Sequence, residues 1–154
     1  MEIIEQINAN KCITGENLEK LVSHFGERIW KALRAVTEKR VTKYIFKPSD
    51  KEIWTVSGKN RDYLVISDFY CTCDDFYINV VIRKKSKVCY HILAKKLGEA
   101  LDLYTSTYQT DDNYEKLMLK LKTIEIRNAK RNIEKWRNKL VCTMYIDFTF
   151  IPVS

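Results

Sequence analysis

Two short stretches decide how this chain is read: Cys71-Thr72-Cys73-Asp74-Asp75-Phe76 and, with fifteen residues between its first member and Cys73, Cys89-Tyr90-His91. Thiolate is a soft ligand and neutral imidazole a borderline one. Three sulfurs and one nitrogen therefore suit tetrahedral zinc, at about 2.3 Å for sulfur and about 2.0 to 2.1 Å for nitrogen. With Cys71, Cys73, Cys89 and His91 as ligands the shell is closed, so the expected site is structural, one Zn2+ per chain, with no place for a reactive water. Spacing also constrains the backbone. Residues two apart on an ideal strand share a face but lie too far apart for their sulfurs to reach one ion, so 71–73 should bend into a knuckle. Two apart on a helix is about 200° of rotation, so Cys89 should precede a helix and His91 lie in its first turn. The competing reading is that these cysteines are small buried hydrophobes.

Working outward, Leu18, Leu21, Val22, Phe25, Ile29, Leu33 and Val36 recur at three and four residues and predict an amphipathic helix over 16–39, with Thr14 as its N-cap. The segments 41–47, 52–57 and 63–70 are rich in β-branched and aromatic residues. Pro48-Ser49-Asp50 and Gly58-Lys59-Asn60 separate them as turns, which predicts an antiparallel meander. A further strand is expected at 77–83, then the basic loop Lys84-Lys85-Ser86-Lys87. A second helix carries Ile92, Leu93, Leu97, Ala100, Leu101 and Tyr104, and the polar stretch 105–110 reads as a joint. From Asp111 to about Lys139 there is no Gly or Pro and a drifting apolar stripe, which predicts one long helix. Cys142, Met144, Ile146, Phe148 and Phe150 then alternate with polar residues as in a half-buried strand. The fold class is α+β. Its expected parts are an N-terminal helical segment (1–40), an antiparallel sheet with the metal site (41–104), and a long basic helix with a terminal strand extending the same domain (105–154).

The ligand order Cys-x-Cys…Cys-x-His, with Asp75-Phe76 after the first pair and an apolar helix after the second, resembles the SWIM zinc finger over about 63–104. That resemblance implies a strand-strand-helix unit whose four ligands are Cys71, Cys73, Cys89 and His91, in proteins linked to DNA transactions. A helix ahead of a meander and the finger further resembles the small stand-alone SWIM subunit of the Shu complex and its archaeal counterparts. It implies partnership with RecA-family recombinases or their paralogues in homologous recombination. The chain departs from the pattern at Tyr90, where the family carries a basic residue, and the segment after Tyr108 has no counterpart in it.

Composition bounds the remaining possibilities. The chain has 154 residues, 45% hydrophobic, with four Gly and two Pro, enough for one folded domain and unlike a disordered or linker-dominated chain. Its start, Met1-Glu2-Ile3-Ile4-Glu5, lacks a signal-peptide pattern, and no apolar run reaches membrane-spanning length. An intracellular protein is expected, in cytoplasm or nucleoid, or in the nucleus of a eukaryote, with no membrane partner. Five cysteines are an odd number for a disulfide framework, and two histidines cannot build a multi-histidine catalytic centre. Cys12 and Cys142 read as core residues and His24 as a plain structural histidine.

The formal net charge is +7, which favours a polyanion as partner. Arg83, Lys84, Lys85, Lys87, Lys95 and Lys96 occur with no carboxylate between Asp75 and Glu99. A second cluster, with Arg127, Lys130 and Arg131, lies on the expected long helix. Arg83, Lys84, Lys85, Lys87, Lys95, Arg127, Lys130 and Arg131 are the candidate nucleic-acid contacts; the plainer reading of both runs is a solvated face. Tyr70, Tyr77 and Tyr90 are left open between core packing and stacking on single-stranded bases, whereas Phe69 and Phe76 are assigned to the core. With no phosphate loop and no nucleophile paired with a base, no enzyme is expected. Two functions stand: a zinc-stabilised protein of DNA recombination or repair that binds DNA and a RecA-family protein, or an adaptor or homodimer without nucleic acid, joined through strand addition.

Overall fold

A computed structural model describes residues 2–59, 61–121, 130 and 134. The chain forms two compact units, 1–116 and 117–154, and the four candidate ligands lie in the first. Its elements run α1 (Glu2–Asn10), α2 (Gly15–Phe25), α3 (Arg28–Thr37), β1 (Val41–Lys47), β2 (Lys51–Ser57), β3 (Asp62–Ile66) and β4 (Tyr70–Cys71). A π-helical segment (Phe76–Ile82), α4 (Tyr90–Leu101) and β5 (Thr105–Thr110) follow. The fold class is α+β, as expected.

The sheet has the order β4-β3-β2-β1-β5. Its first four strands form the predicted antiparallel meander, with pairs such as Val41 opposite Val56 and Trp54 opposite Val65. Strand β5 is an addition to it. The stretch expected as a polar joint lies parallel to β1, Thr42 opposite Thr105 through Lys47 opposite Thr110. Threonine and tyrosine fit a pleated backbone, and an edge strand can be polar on both faces, so polarity alone misled the reading of 105–110.

Helix α4 packs against α1, α3 and the sheet. Ile92, Leu93, Leu97 and Ala100 of α4 meet Ile29, Ala32, Ala35 and Val36 of α3, with Val41, Val56 and Val65 of the sheet completing the cluster. The alanines let α3 and α4 approach. Gly98 has a stricter reason for its identity: a Cβ there would lie 3.2 Å from the Leu103 carbonyl oxygen and 3.4 Å from the Val41 side chain. The helix stops at Asp102, which takes a left-handed conformation (φ 59°) and closes the end in place of the expected run to Tyr104.

The single helix expected over 16–39 is two helices. Gly26, at φ 58°, ends α2, and its N–H donates to the Val22 carbonyl at 2.8 Å. Both helices turn apolar faces to one core, so periodicity runs through the break and hides it. Thr14 caps α2 as predicted, its Oγ1 accepting the Asn17 N–H at 3.2 Å. Helix α1 falls within the expected helical segment 1–40, ahead of the helix predicted over 16–39, and it buries Ile7.

The expected strand at 77–83 is replaced by the π-helical segment, where the Arg83 N–H reaches back five residues to the Ile78 carbonyl at 2.9 Å. A mostly apolar run does not distinguish strand from helix. The expected strand 63–70 is likewise a hairpin: the chain turns at Ser67 (φ 51°) between β3 and β4. Of the expected long helix, 112–121 is helical, as are 130 and 134; the rest of it and the terminal strand with Cys142 lie outside the described residues.

Candidate metal centre

Strand β4 delivers Cys71, and the next two residues form the knuckle that the spacing requires. Thr72 holds the bend against β3: its N–H donates to the Leu64 carbonyl at 3.1 Å, and its Oγ1 accepts the Leu64 N–H at 3.0 Å. Cys73 accepts the Phe76 N–H on its sulfur at 3.2 Å, which turns the chain into the π-helical segment. Cys89 is the N-cap of α4 in an extended conformation, and His91 sits in the first turn. All four side chains are buried, and their ligand atoms lie within 4.8 Å of one another.

The donor set asks for a cation. Hydrogen bonds to Cys73 and Cys89, reinforced by burial, push the Cys71 thiol far above its ordinary range. Cys89 is drawn down to about 4 because the Cys71 and Cys73 thiols and the backbone N–H groups of Ile92 and His91 bond to its sulfur, outweighing burial. One thiolate can form in this pocket at the expense of its neighbours; three require a compensating positive charge. Both ring nitrogens of His91 are buried without a hydrogen-bond partner among the described residues, and ligation satisfies one of them. The cluster fits one structural zinc ion. Bound there, the ion would tie β4 and the knuckle to the start of α4, and coordination energy would become folding energy.

Around the ligands lies a second layer that local sequence does not announce. The rings of Tyr63 and Tyr90 lie against the His91 imidazole, with centroids 4.2 and 3.8 Å away. Tyr90, left open from sequence, is thus a wall of the metal site, which accounts for an aromatic in place of the family's basic residue. The Arg61 guanidinium lies 4.6 Å from the Tyr63 ring centre. Asp75 accepts from Arg28 Nη2 at 3.3 Å and from Asn79 Nδ2 at 2.7 Å, joining the start of α3 to the π-helical segment. Arg28 is 47 positions from Asp75, and no spacing rule could have paired them.

The candidate nucleic-acid contacts divide. Arg83, Lys84, Lys85 and Lys87 are exposed on one loop and have no carboxylate partner among the described residues. Lys95 is a correction. Its side chain is 8% exposed, and its ammonium bonds Asp68 at 3.2 Å and Glu99 at 2.5 Å, 5.0 Å from the Trp54 ring centre. Lys96 pairs with Asp68 at 3.3 Å. The carboxylates that neutralise both lysines come from the β3–β4 turn and one helical turn onward, just outside the carboxylate-free window of the sequence. Lys130 is exposed; Arg127 and Arg131 lie outside the described residues.

Among the aromatics, Phe76 is buried as expected, whereas Phe69 is 74% exposed and does not join the core. It sits in the turn of the β3–β4 hairpin. Tyr70, Tyr77, Ile78, Val81 and Ile82 are exposed too. Cys12, expected in the core, is exposed at the end of α1. His24 is exposed, edge-on to Phe25.

Fold and site together define the class: a small α+β domain built around a closed, buried Cys3His site of SWIM-type ligand order. The chain is 25% identical over 137 residues, 88% of each chain, to the zinc finger SWIM domain-containing protein 7 homolog of Dictyostelium discoideum. No family model and no solved structure matches it. Among the described residues, no helix is long and apolar enough to cross a membrane.

Proposed function

We propose that this is a non-enzymatic, zinc-stabilised protein of DNA recombination or repair, acting inside the cell by contact with nucleic acid and with a RecA-family recombinase or paralogue. One observation carries the nucleic-acid part: Arg83, Lys84, Lys85 and Lys87, without a carboxylate partner among the described residues, stand on a loop whose far end is the ligand Cys89. A metal-pinned loop loses little entropy on meeting a phosphate chain, so its charges act together. The closed ligand shell supports a scaffolding role for the metal rather than chemistry. The ligand order and the similarity to a SWIM domain protein support the recombination setting.

A second reading, a protein-interaction adaptor, is favoured by the exposed Phe69, Tyr77, Val81 and Ile82 on the finger. One preparation tests both. Affinity purification of the tagged chain from its native cell, followed by mass spectrometry, is expected to recover a RecA-family ATPase in stoichiometric amount. The purified chain is expected to bind oligonucleotides with an affinity that falls as salt rises, by about 0.7 to 0.9 log units per log unit of salt for each phosphate contact. Recovery of other proteins without oligonucleotide binding selects the adaptor.

A further inference from the structure

A cavity of about 310 Å³ lies between the helical layer and the basic loop. His24, Phe25 and Arg28 form one wall; Lys85, Ser86 and Lys87 form the other. Among the described residues, no carboxylate lines it. Two of its lining residues have buried donor atoms without a hydrogen-bond partner among the described residues, Arg28 Nε and Ser86 Oγ. A buried donor left unpaired is costly, and such atoms in a cavity mark the place of a missing acceptor.

Both walls are held in place by the same short network. The Lys85 and Ser86 N–H groups donate to the Asn79 carbonyl at 2.8 and 3.3 Å. The Asn79 side chain bonds Asp75, and Asp75 bonds Arg28 through Nη2, which leaves Nε unpaired. Two residues beyond Lys87, the chain enters the metal site at Cys89. The loop is thus tethered at its start by Asn79 and at its end by the ligand.

We propose that this cavity is a phosphate-binding pocket that receives a phosphate group of a nucleic-acid strand. The inference rests on the nucleic-acid reading above and assigns the contact to particular atoms. A tetrahedral phosphate has enough acceptor oxygens to take the Arg28 Nε–H and the Ser86 hydroxyl while facing the Lys85 and Lys87 ammonium groups. The volume exceeds that of one phosphate, and Phe25 provides an apolar surface for the attached sugar or base.

The test uses the zinc-loaded full chain and a single-stranded oligothymidylate, with affinity read by fluorescence anisotropy and zinc content checked for every variant. Ser86→Asp places a negative charge among the cations and is expected to weaken binding about tenfold or more, and Lys87→Ala about threefold to tenfold. Lys31→Ala removes one exposed positive charge from α3 outside the cavity and is expected to change affinity less than about twofold. Inorganic phosphate is expected to compete with the oligonucleotide in wild type and to lose that effect in Ser86→Asp. If Ser86→Asp fails to hold zinc, Ser86→Ala carries the test, with a weakening of about threefold expected. Equal affinities for wild type and the serine and Lys87 variants would overturn the pocket while leaving nucleic-acid binding in place. Phosphate binding that the oligonucleotide does not displace would overturn it as well, in favour of a free-anion site. A wild-type chain that binds no oligonucleotide would overturn both this pocket's assignment and the nucleic-acid reading beneath it.

Discussion

Two parts of the first unit are held together by different means. In the β1–β2–β5 part, long ladders satisfy the backbone, and α3 and α4 contribute a row of apolar side chains to the shared core. In the segment 71–91, regular structure is sparse: a two-residue strand, a π-helical turn and an irregular loop carry the chain to α4. Tyr77, Val81 and Ile82 of that segment are exposed, while Phe76 lies in the shared core with Val80 and Val88 packed against it. Four converging ligands supplement that sparse packing. The contrast shows how a short, basic, outward-facing segment with few packed residues can be held: crosslink its ends through a metal and leave its charges to solvent.

The largest expected effect separates the two parts directly. Cys89→Ser, or stripping the metal with a chelator, removes the crosslink and leaves buried, mutually crowded sulfur and imidazole groups. The stability lost is expected to be several kcal/mol, since structural zinc contributes folding energy outright. Hydrogen exchange should lose protection first in β3, β4 and 76–91, with the β1–β2–β5 ladder protected longer. A metal-free chain with unchanged melting and unchanged exchange would break the comparison.

On the other side of the contrast, Leu97 is fully buried at the junction of α4, α3 and the sheet. Leu97→Ala is expected to cost about 2 to 5 kcal/mol through lost burial and a residual cavity. Zinc stoichiometry should stay at one per chain by elemental analysis, because Leu97 touches the packed part and the ligands sit at the opposite end of α4. Loss of zinc in this variant would show that the two parts do not act separately.

The smallest effect concerns the ion pairs between them. Burial raises the Asp68 carboxyl, but hydrogen bonding and attraction from Lys95, with Lys96 adding to it, outweigh that, and the net shift is downward. A depressed folded value means that the stabilisation is present above the ordinary carboxylate range and lost as pH falls through the folded value, that is, below about pH 4. Asp68→Asn is expected to cost a few tenths to about 1 kcal/mol, discounted for its half-exposed side chain. The difference from wild type in urea denaturation should be the same at pH 7 and pH 5. A difference that fades between those values would place the titrating group elsewhere.

Much of the site was legible because metal ligation is a local demand on residue type and spacing. Cys71-x-Cys73 implied a knuckle, and Cys89-x-His91 implied a ligand just before a helix and another in its first turn; both are found. The meander was legible for the same reason, since alternation and turn residues act over a few positions. What misled were stretches whose pattern admits two structures. The run Phe76–Ile82 is apolar but for Asn79 and became π-helical instead of a strand, while 105–110 is polar and became an edge strand.

The sequence by itself determined the α+β class, the four ligands and the meander, because each follows from chemistry or periodicity within a short window. Only the tertiary structure decided which cations are free. Lys95 and Lys87 look alike in sequence, yet one is buried between Asp68 and Glu99 and the other is exposed on the loop. Pairings such as Arg28 with Asp75 were decided there too. The physical reason is range. A ligand set or an amphipathic period is written into neighbouring residues, whereas the partner of a charge is whatever the folded chain brings within a few ångströms, and that depends on where every other element has packed.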